Sequence, residues 1–392
     1  MNADRAKVAA RMAAIAPFEV MEIQTLARAL EAQGRDVIHL EIGEPDFTTP
    51  APVVEAARRA LEAKPMFYTS ALGIPELREA ISRFYRDRYG VDVPAGRIAV
   101  TAGSSAALLL AFGVLLDPGD EVLLSDPGYP CNRHFVHALG GHPRLVPTDS
   151  RSRYQLTPEL AEEAWAPRTR IAMVASPSNP SGTLVEPGEI AALASLARER
   201  GAAVLVDEIY HGLTYGRDAR TALEAGDDVF VINSFSKYFQ MTGWRLGWLV
   251  APQAYVREIE KLAQNLYISP STIAQHAALA AFAPETIAIL EARRHELQSR
   301  RDYLLPALEA LGFRIGVKPE GAFYVYAECS ALSGDSFALA REALAKAGVA
   351  FTPGKDFGFN APERHIRIAY TQPVARLEEA VDRLRGFLAG RA

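Results

Sequence analysis

Between residues 98 and 250 six short apolar runs recur, at 98–101, 121–125, 171–175, 203–207, 229–233 and 248–250. They are rich in Val, Ile and Leu and nearly free of polar interruption, the pattern of strands buried on both faces. Helix-forming stretches separate them, so the spacing predicts a mainly parallel sheet in an α/β layer. The ends of the runs carry a second regularity. Five of them are followed by "TAGSS", "DPGYP", "SPSNP", "DEIY" and "SFSK". Ligands of open α/β sheets bind beyond the carboxyl ends of the strands, so these five clusters are expected to share one rim.

The flanking segments read differently. Residues 20–30 place Val20, Ile23, Leu26 and Leu30 on one helical face, and "DVIHLEIGEPDF" reads as a strand entering a loop at 43–46. Residues 252–266 set Val256, Ile259, Leu262 and Leu266 on one helical face. After about residue 286 a polar helix over 291–310 precedes "FRIG", "GAFYVYAE" and "HIRIAY", three expected strands, and a final amphipathic helix with Leu377, Val381, Leu384 and Leu388. A chain of 392 residues exceeds one small core. The expected division is a large α/β domain over 46–285 and a smaller α+β domain over 286–392, completed by the N-terminal segment 1–45.

Composition removes several classes. The net charge is −5 and the basic residues are scattered, which leaves no stripe for nucleic acid. The longest apolar run, 106–116, falls short of the ~18 residues of a membrane span. The N-terminus lacks the compact apolar core of a secretory signal. Cys131 and Cys329 alone form no disulfide framework, and His134 and His137 find no third metal ligand. The expectation is a cytoplasmic protein without metal, membrane or nucleic-acid partners.

The rim clusters hold the candidate chemistry. Lys237 follows an apolar strand and sits among Phe235, Tyr238 and Phe239, surroundings that lower an amine's pKa and make it a nucleophile. A lone lysine is usually a surface charge; the company of the other motifs reverses that reading. Arg245 lies in "TGWRLGW", and its guanidinium fork suits a phosphate or carboxylate, although stacking on a tryptophan would explain it equally. Ser234 and Ser236 add hydroxyls. Ser104 and Ser105 open a helix whose free N–H groups attract an anion, but serine also caps ordinary helices. Asp207 ends a buried strand and needs a partner there: a protonated heteroaromatic nitrogen, or simply the next helix. Tyr210 and Asn179 could hydrogen-bond an oxygen of the same ring, and Tyr129 offers a stacking face; taken alone, Asn179 reads more readily as a turn asparagine and Tyr129 equally as a packed loop tyrosine. Arg367 alternates with Ile366 and Ile368 and should face either a buried anion or water.

Taken together, these motifs give the chain a resemblance to the class I/II aminotransferases, pyridoxal 5′-phosphate (PLP) enzymes of fold type I. The resemblance runs from "LEIGEPDF" through "YTSALGIPELREAI", "SPSNPSG", "DEIY" and "SFSKYFQMTGWRLGW" to "GAFYVY" and "RIAY". It implies a seven-stranded, mainly parallel sheet between helices. It also implies roles position by position. Lys237 is the Schiff-base lysine, Asp207 the partner of the pyridine nitrogen, Tyr210 and Asn179 the partners of the ring's phenolic oxygen, and Tyr129 the stacking aromatic. Ser104, Ser105, Ser234, Ser236 and Arg245 form the phosphate cradle. Arg367 clamps the substrate α-carboxylate under the loop glycine Gly43. Tyr68 reaches the phosphate of the neighbouring subunit, which implies a homodimer with shared active sites.

The implied activity moves an amino group from an L-amino acid to a 2-oxo acid, with 2-oxoglutarate the implied acceptor and ping-pong kinetics. A carbon–sulfur β-lyase on the same fold would use the same residues. A cofactor-fold regulator would bring a DNA-binding segment, and a nicotinamide oxidoreductase a G-x-G-x-x-G turn; neither is found. For the side-chain pocket, Phe18 and Arg133 are candidates. No second arginine for a distal carboxylate can be picked out, so aspartate, alanine, aromatic and methionine-like donors stay open.

Overall fold

The computed structural model describes residues 7–391. Its strands are β1 (Ile38–His39), β2 (Ile98–Thr101), β3 (Glu121–Asp126), β4 (His142–Pro147), β5 (Thr169–Ala175), β6 (Ala203–Asp207), β7 (Phe230–Ser234), β8 (Gly247–Val250), β9 (Tyr324–Glu328), β10 (Val349–Ala350), β11 (Thr352–Pro353) and β12 (His365–Ala369). The first five α-helices are α1 (Glu19–Glu31), α2 (Ala51–Ala63), α3 (Pro75–Tyr89), α4 (Ser104–Leu115) and α5 (Pro130–Ala138).

Strands β2 to β8 form one seven-stranded sheet in the order β2-β8-β7-β6-β5-β3-β4. Pairing is parallel from β7 through β6, β5 and β3 to β4. β8 runs antiparallel to both of its neighbours, β2 and β7. β2 therefore points the same way as β7, and the five polar clusters do emerge on one rim. β2, β6, β7 and β8 are buried along their whole length, as their uninterrupted apolar sequences require.

The seventh strand, β4, was not among the six expected. Its sequence HPRLVP carries two prolines and an arginine, and its side chains alternate in exposure because it is an edge strand. "FRIG" is corrected as well. It forms no strand, only a bridge between Arg314 and Glu328. The helix expected over 252–266 begins with a 3₁₀ turn at Gln253–Tyr255 and becomes α-helical over Val256–Leu266. Ala263, not Leu266, completes its buried face. The long helix starts earlier than expected, at Pro284, where a missing N–H costs nothing, and runs to Ala310.

β9, β11 and β12 make an antiparallel three-stranded sheet, and β1 pairs in parallel with β10. The segment before residue 45 thus packs with the C-terminal part of the chain. Asp36 ties it further to the final helix, Val374–Ala389, through Arg376 and Arg383. Arg300, fully buried in the long helix, grips Asp46 with two hydrogen bonds of 2.7 and 3.0 Å while stacking over Phe47. This fixes the "GEPDF" loop against the long helix.

Candidate active site

A cavity of about 270 Å³ opens at that rim. Lys237, Asp207, Tyr210, Tyr129, Asn179, Arg367 and Gly43 all line it. Six separate stretches converge here. Tyr129, Asn179, Asp207 with Tyr210, and Lys237 arrive because each parallel strand of the large sheet delivers its last residue or following loop to the same edge. Gly43 comes from the loop after β1 and Arg367 from β12 of the small antiparallel sheet.

Lys237 follows the end of β7 and turns its amine toward the "GEPDF" loop, where Nζ donates to the Gly43 carbonyl at 2.7 Å. Burial lowers its pKa to about 8; Glu44 pulls the other way, while Arg367 and Arg245 add to the lowering. Gly43 is required there by close approach. A Cβ on it would lie 2.6 Å from the Tyr324 hydroxyl.

Asp207 closes β6 and is 6% exposed. Its Oδ1 accepts the Ile209 amide at 3.1 Å, the only hydrogen bond it receives among the described residues. Burial pushes its carboxyl up to about 7, against the Ile209 amide and Lys237. A carboxylate so placed fits a cationic ring nitrogen, which would return it to the ionised form.

Arg367 stands on β12 at 5% exposure. Nη1 donates to Asn179 Oδ1 at 3.0 Å and Nη2 to the Glu41 carbonyl at 2.7 Å. The guanidinium lies 4.2 Å over the Tyr324 ring and 4.9 Å over Phe357. Its Nε is buried without a partner among the described residues. An unsatisfied donor on a buried cation is the mark of an anion site.

Tyr324 was missed by the sequence reading. Its hydroxyl meets that of Tyr210 at 3.0 Å. The signal was available: period-2 alternation puts Tyr324 and Tyr326 on one face of β9, and Arg367 lies opposite Tyr326 in the register, so Tyr324 is its diagonal neighbour. Glu41 and Asp356 also line the cavity and were missed; Glu41 lies inside the quoted "LEIGEPDF" without being singled out, and no local motif marks Asp356.

The expected phosphate residues gather beside Lys237. Ser104 and Ser105 begin α4 after Gly103, whose φ is +81°. The Arg245 guanidinium reaches within 2.8 Å of where a Gly103 Cβ would stand, and a Gly247 Cβ would meet the Ser104 amide nitrogen at 3.0 Å. The turn therefore packs against β8 and Arg245 only because both glycines lack side chains. Ser236 accepts from Ser234 Oγ at 3.0 Å and keeps its own proton free, whereas Ser234 is also within reach of the Leu246 carbonyl at 3.2 Å. Arg245 donates to the Thr242 carbonyl and has no carboxylate partner among the described residues. None of the five lines the cavity itself; together they make a cationic, donor-rich turn of the kind that holds a phosphate.

Two expected residues stand apart. Tyr68 is 80% exposed and away from the cavity. Arg133 lies behind the wall, donating to the Asp356 carbonyl at 2.9 Å, while Phe18 lines the cavity itself.

The family model for aminotransferase class I and II matches residues 35–384, nearly the whole chain. The chain belongs to the class I and II aminotransferases. A valine–pyruvate aminotransferase of Mycobacterium tuberculosis is 39% identical, over 96% of this chain and 97% of that one. The crystal structure of an aminotransferase from Mycobacterium tuberculosis superposes with a TM-score of 0.95 at 38% identity, covering 98% of this chain and all of the other. The aspartate aminotransferase from Thermus thermophilus with maleate gives a TM-score of 0.92 at 35% identity, again over 98% of this chain and all of the other. This aminotransferase accordingly has the fold-type I architecture, an enzyme fold with its cavity at the sheet rim. No single helix among its described residues is long and apolar enough to cross a membrane.

Proposed function

We propose that this aminotransferase uses pyridoxal 5′-phosphate to move an amino group from an L-amino acid to a 2-oxo acid, and that Lys237 holds the cofactor covalently. The observation that carries the reading is the union, in one cavity, of a lysine with a lowered pKa, a strand-end carboxylate lacking a cation and a buried arginine with a free donor. When bound, the cofactor supplies an aldehyde for the lysine and an electron-poor ring that can accept the electron pair of the substrate Cα–H bond.

The protein's own share follows from its residues. Arg245, Ser236 and the start of α4 bind the phosphate. Asp207 keeps the ring nitrogen protonated, and Tyr129 stacks on the ring. Tyr210 and Asn179 hydrogen-bond its phenolic oxygen. Arg367 captures the α-carboxylate and so fixes which Cα bond is presented, a positioning effect of up to roughly 7–11 kcal/mol in the best oriented cases. Once displaced by the substrate amine, Lys237 Nζ would be a neutral base able to take the Cα proton and return it to the carbon that was the cofactor's aldehyde. Donor and acceptor use one site in turn, so ping-pong kinetics are expected.

The family resemblance names 2-oxoglutarate as acceptor, while the relatives' names include pyruvate. Exposed Phe67 and Tyr68 support a homodimer in which Tyr68 completes the partner's site. A spectrophotometric panel of amino donors against pyruvate and 2-oxoglutarate tests the activity. Keto acid formed beyond one equivalent of enzyme only with an acceptor present supports transamination; catalytic release of pyruvate and ammonia without one would favour the β-lyase.

A further inference from the structure

One wall of the cavity comes from α1, and it is held there from the far end of the chain. Phe18, at the N-cap of α1, offers no capping side chain. The first amides of a helix have no partner within it. Here Asp356 supplies one: Oδ1 accepts the Glu19 amide at 2.7 Å and Oδ2 the Val20 amide at 2.9 Å, across more than 330 residues of sequence. Asp356 is buried, Lys355 beside it pairs with Glu19 at 2.9 Å, and Arg133 secures the Asp356 carbonyl. The clamp is thus built from both sides.

What it holds in place is apolar. Phe18, Val20 and Met21 face the cavity together with Ile42 and Phe357, and Gln24 adds only a neutral amide. Among the described residues, the cations lining the cavity are Lys237 and Arg367. In the proposed reaction the first is the nucleophile and the second takes the α-carboxylate. The carboxylates on this side are Asp356, already bound to α1, and Glu41. Glu41 is fully buried, pairs through Oε1 with His39 at 2.7 Å and leaves Oε2 without a partner. Among the described residues of this chain, a donor bearing a second carboxylate would meet no free cation and would lie near two acidic groups, a doubly unfavourable burial.

We propose that the first turn of α1, pinned by Asp356, reads the donor's side chain and selects an uncharged, apolar amino acid over a dicarboxylic one. Asp356 acts as a positioning residue for that wall. The inference rests on the aminotransferase reading of the site.

The test is the first half-reaction, followed by the cofactor's absorbance when PLP-loaded enzyme is mixed with valine, leucine, methionine, phenylalanine, aspartate or glutamate. The apolar donors should exceed both acidic ones in kcat/KM by at least about tenfold, the scale on which a pocket discriminates side chains. Acidic donors that match or exceed the apolar ones overturn the inference and leave the aminotransferase reading standing; silence with every donor sinks both. Met21, half-exposed, tolerates change, and Met21→Lys should shift the ratio toward glutamate by about tenfold, since it adds the missing cation. An unmoved ratio contradicts a reading role for the wall. Asp356→Ala should raise KM for the best apolar donor about tenfold with kcat within about threefold and the cofactor spectrum intact, and Asp356→Asn, which keeps one acceptor, should recover part of it. A fall in kcat and cofactor binding without a selective KM effect would mean that Asp356 only supports the fold.

Discussion

Lys237 donates a 2.7 Å hydrogen bond to the carbonyl of Gly43, a residue 194 positions earlier in the chain. The bond joins the end of β7 to the loop that follows β1, the two parts of the protein between which the cavity lies. It also aims the amine at the cavity. With burial holding its pKa at about 8, about half of this lysine is neutral at pH 8, where an ordinary one, near 10.4, is almost wholly charged. Capture of the cofactor by cofactor-free protein should therefore accelerate from about pH 6.5 and level off near pH 9. Stopped-flow absorbance at several pH values measures this; a rate still climbing steeply above pH 9.5 would mean an unperturbed amine.

Asp207 titrates at about 7 in the folded chain and near 3.9 when unfolded. Between those values the native carboxyl keeps a proton that the unfolded chain has released, so cofactor-free protein loses stability as pH rises through that window. Asp207→Asn removes this contribution. The cofactor-free variant should melt above the wild type at about pH 8 and close to it at about pH 4, with a difference of a few kcal/mol at most. With cofactor bound the order should reverse, because the ring nitrogen loses its carboxylate. Thermal melts of both forms at both pH values decide it, and identical pH slopes for variant and wild type would contradict the assignment.

Arg367 is expected to act on substrate and not on cofactor. Arg367→Ala should raise the donor KM by tenfold or more, in line with the roughly 1.5–3 kcal/mol of a hydrogen bond to a charged group. Cofactor affinity should change little. Arg367→Lys should recover only part, since an ammonium cannot form the two-pronged contact. Parallel titrations of cofactor and donor distinguish the roles, and equal losses in both would count against the clamp.

The phosphate turn depends on Gly247. A Cβ there would stand 2.8 Å from the Asn233 carbonyl oxygen and 3.0 Å from both Gly103 C and Ser104 N. All are backbone atoms and cannot swing aside. Gly247→Ala should cost about 1–3 kcal/mol of stability, as overpacking does, and weaken cofactor binding by moving the start of α4. Urea melts with a cofactor titration measure both; an unchanged affinity would show that the turn does not bear on the cofactor.

Much of this was legible beforehand, for identifiable reasons. β2 and β6 were placed residue for residue because they are buried on both faces and their sequences leave no other period. β4 escaped because an edge strand half in solvent lacks that signature, and its prolines argue against a strand. Leu266 looked like core on a helical wheel and is exposed; periodicity fixes a face but not how far the covering layer extends. In the site, Lys237, Asp207 and Arg367 each interrupt an apolar context and so announced themselves. Asp356 did not, because its meaning lies in two amides more than 330 residues away. Glu41 lies just past β1, in a stretch whose sequence reads as a strand running into a loop, where a glutamate ordinarily faces water. Only the fold turns these two inward.

The most direct measurement is on Lys237 itself. Enzyme saturated with pyridoxal 5′-phosphate, reduced with borohydride and digested, should yield one peptide carrying the reduced cofactor at position 237, and Lys237→Ala should yield none and lose the coloured species along with transamination. Label on a different lysine, or an alanine variant that keeps both colour and activity, would contradict the account at its centre.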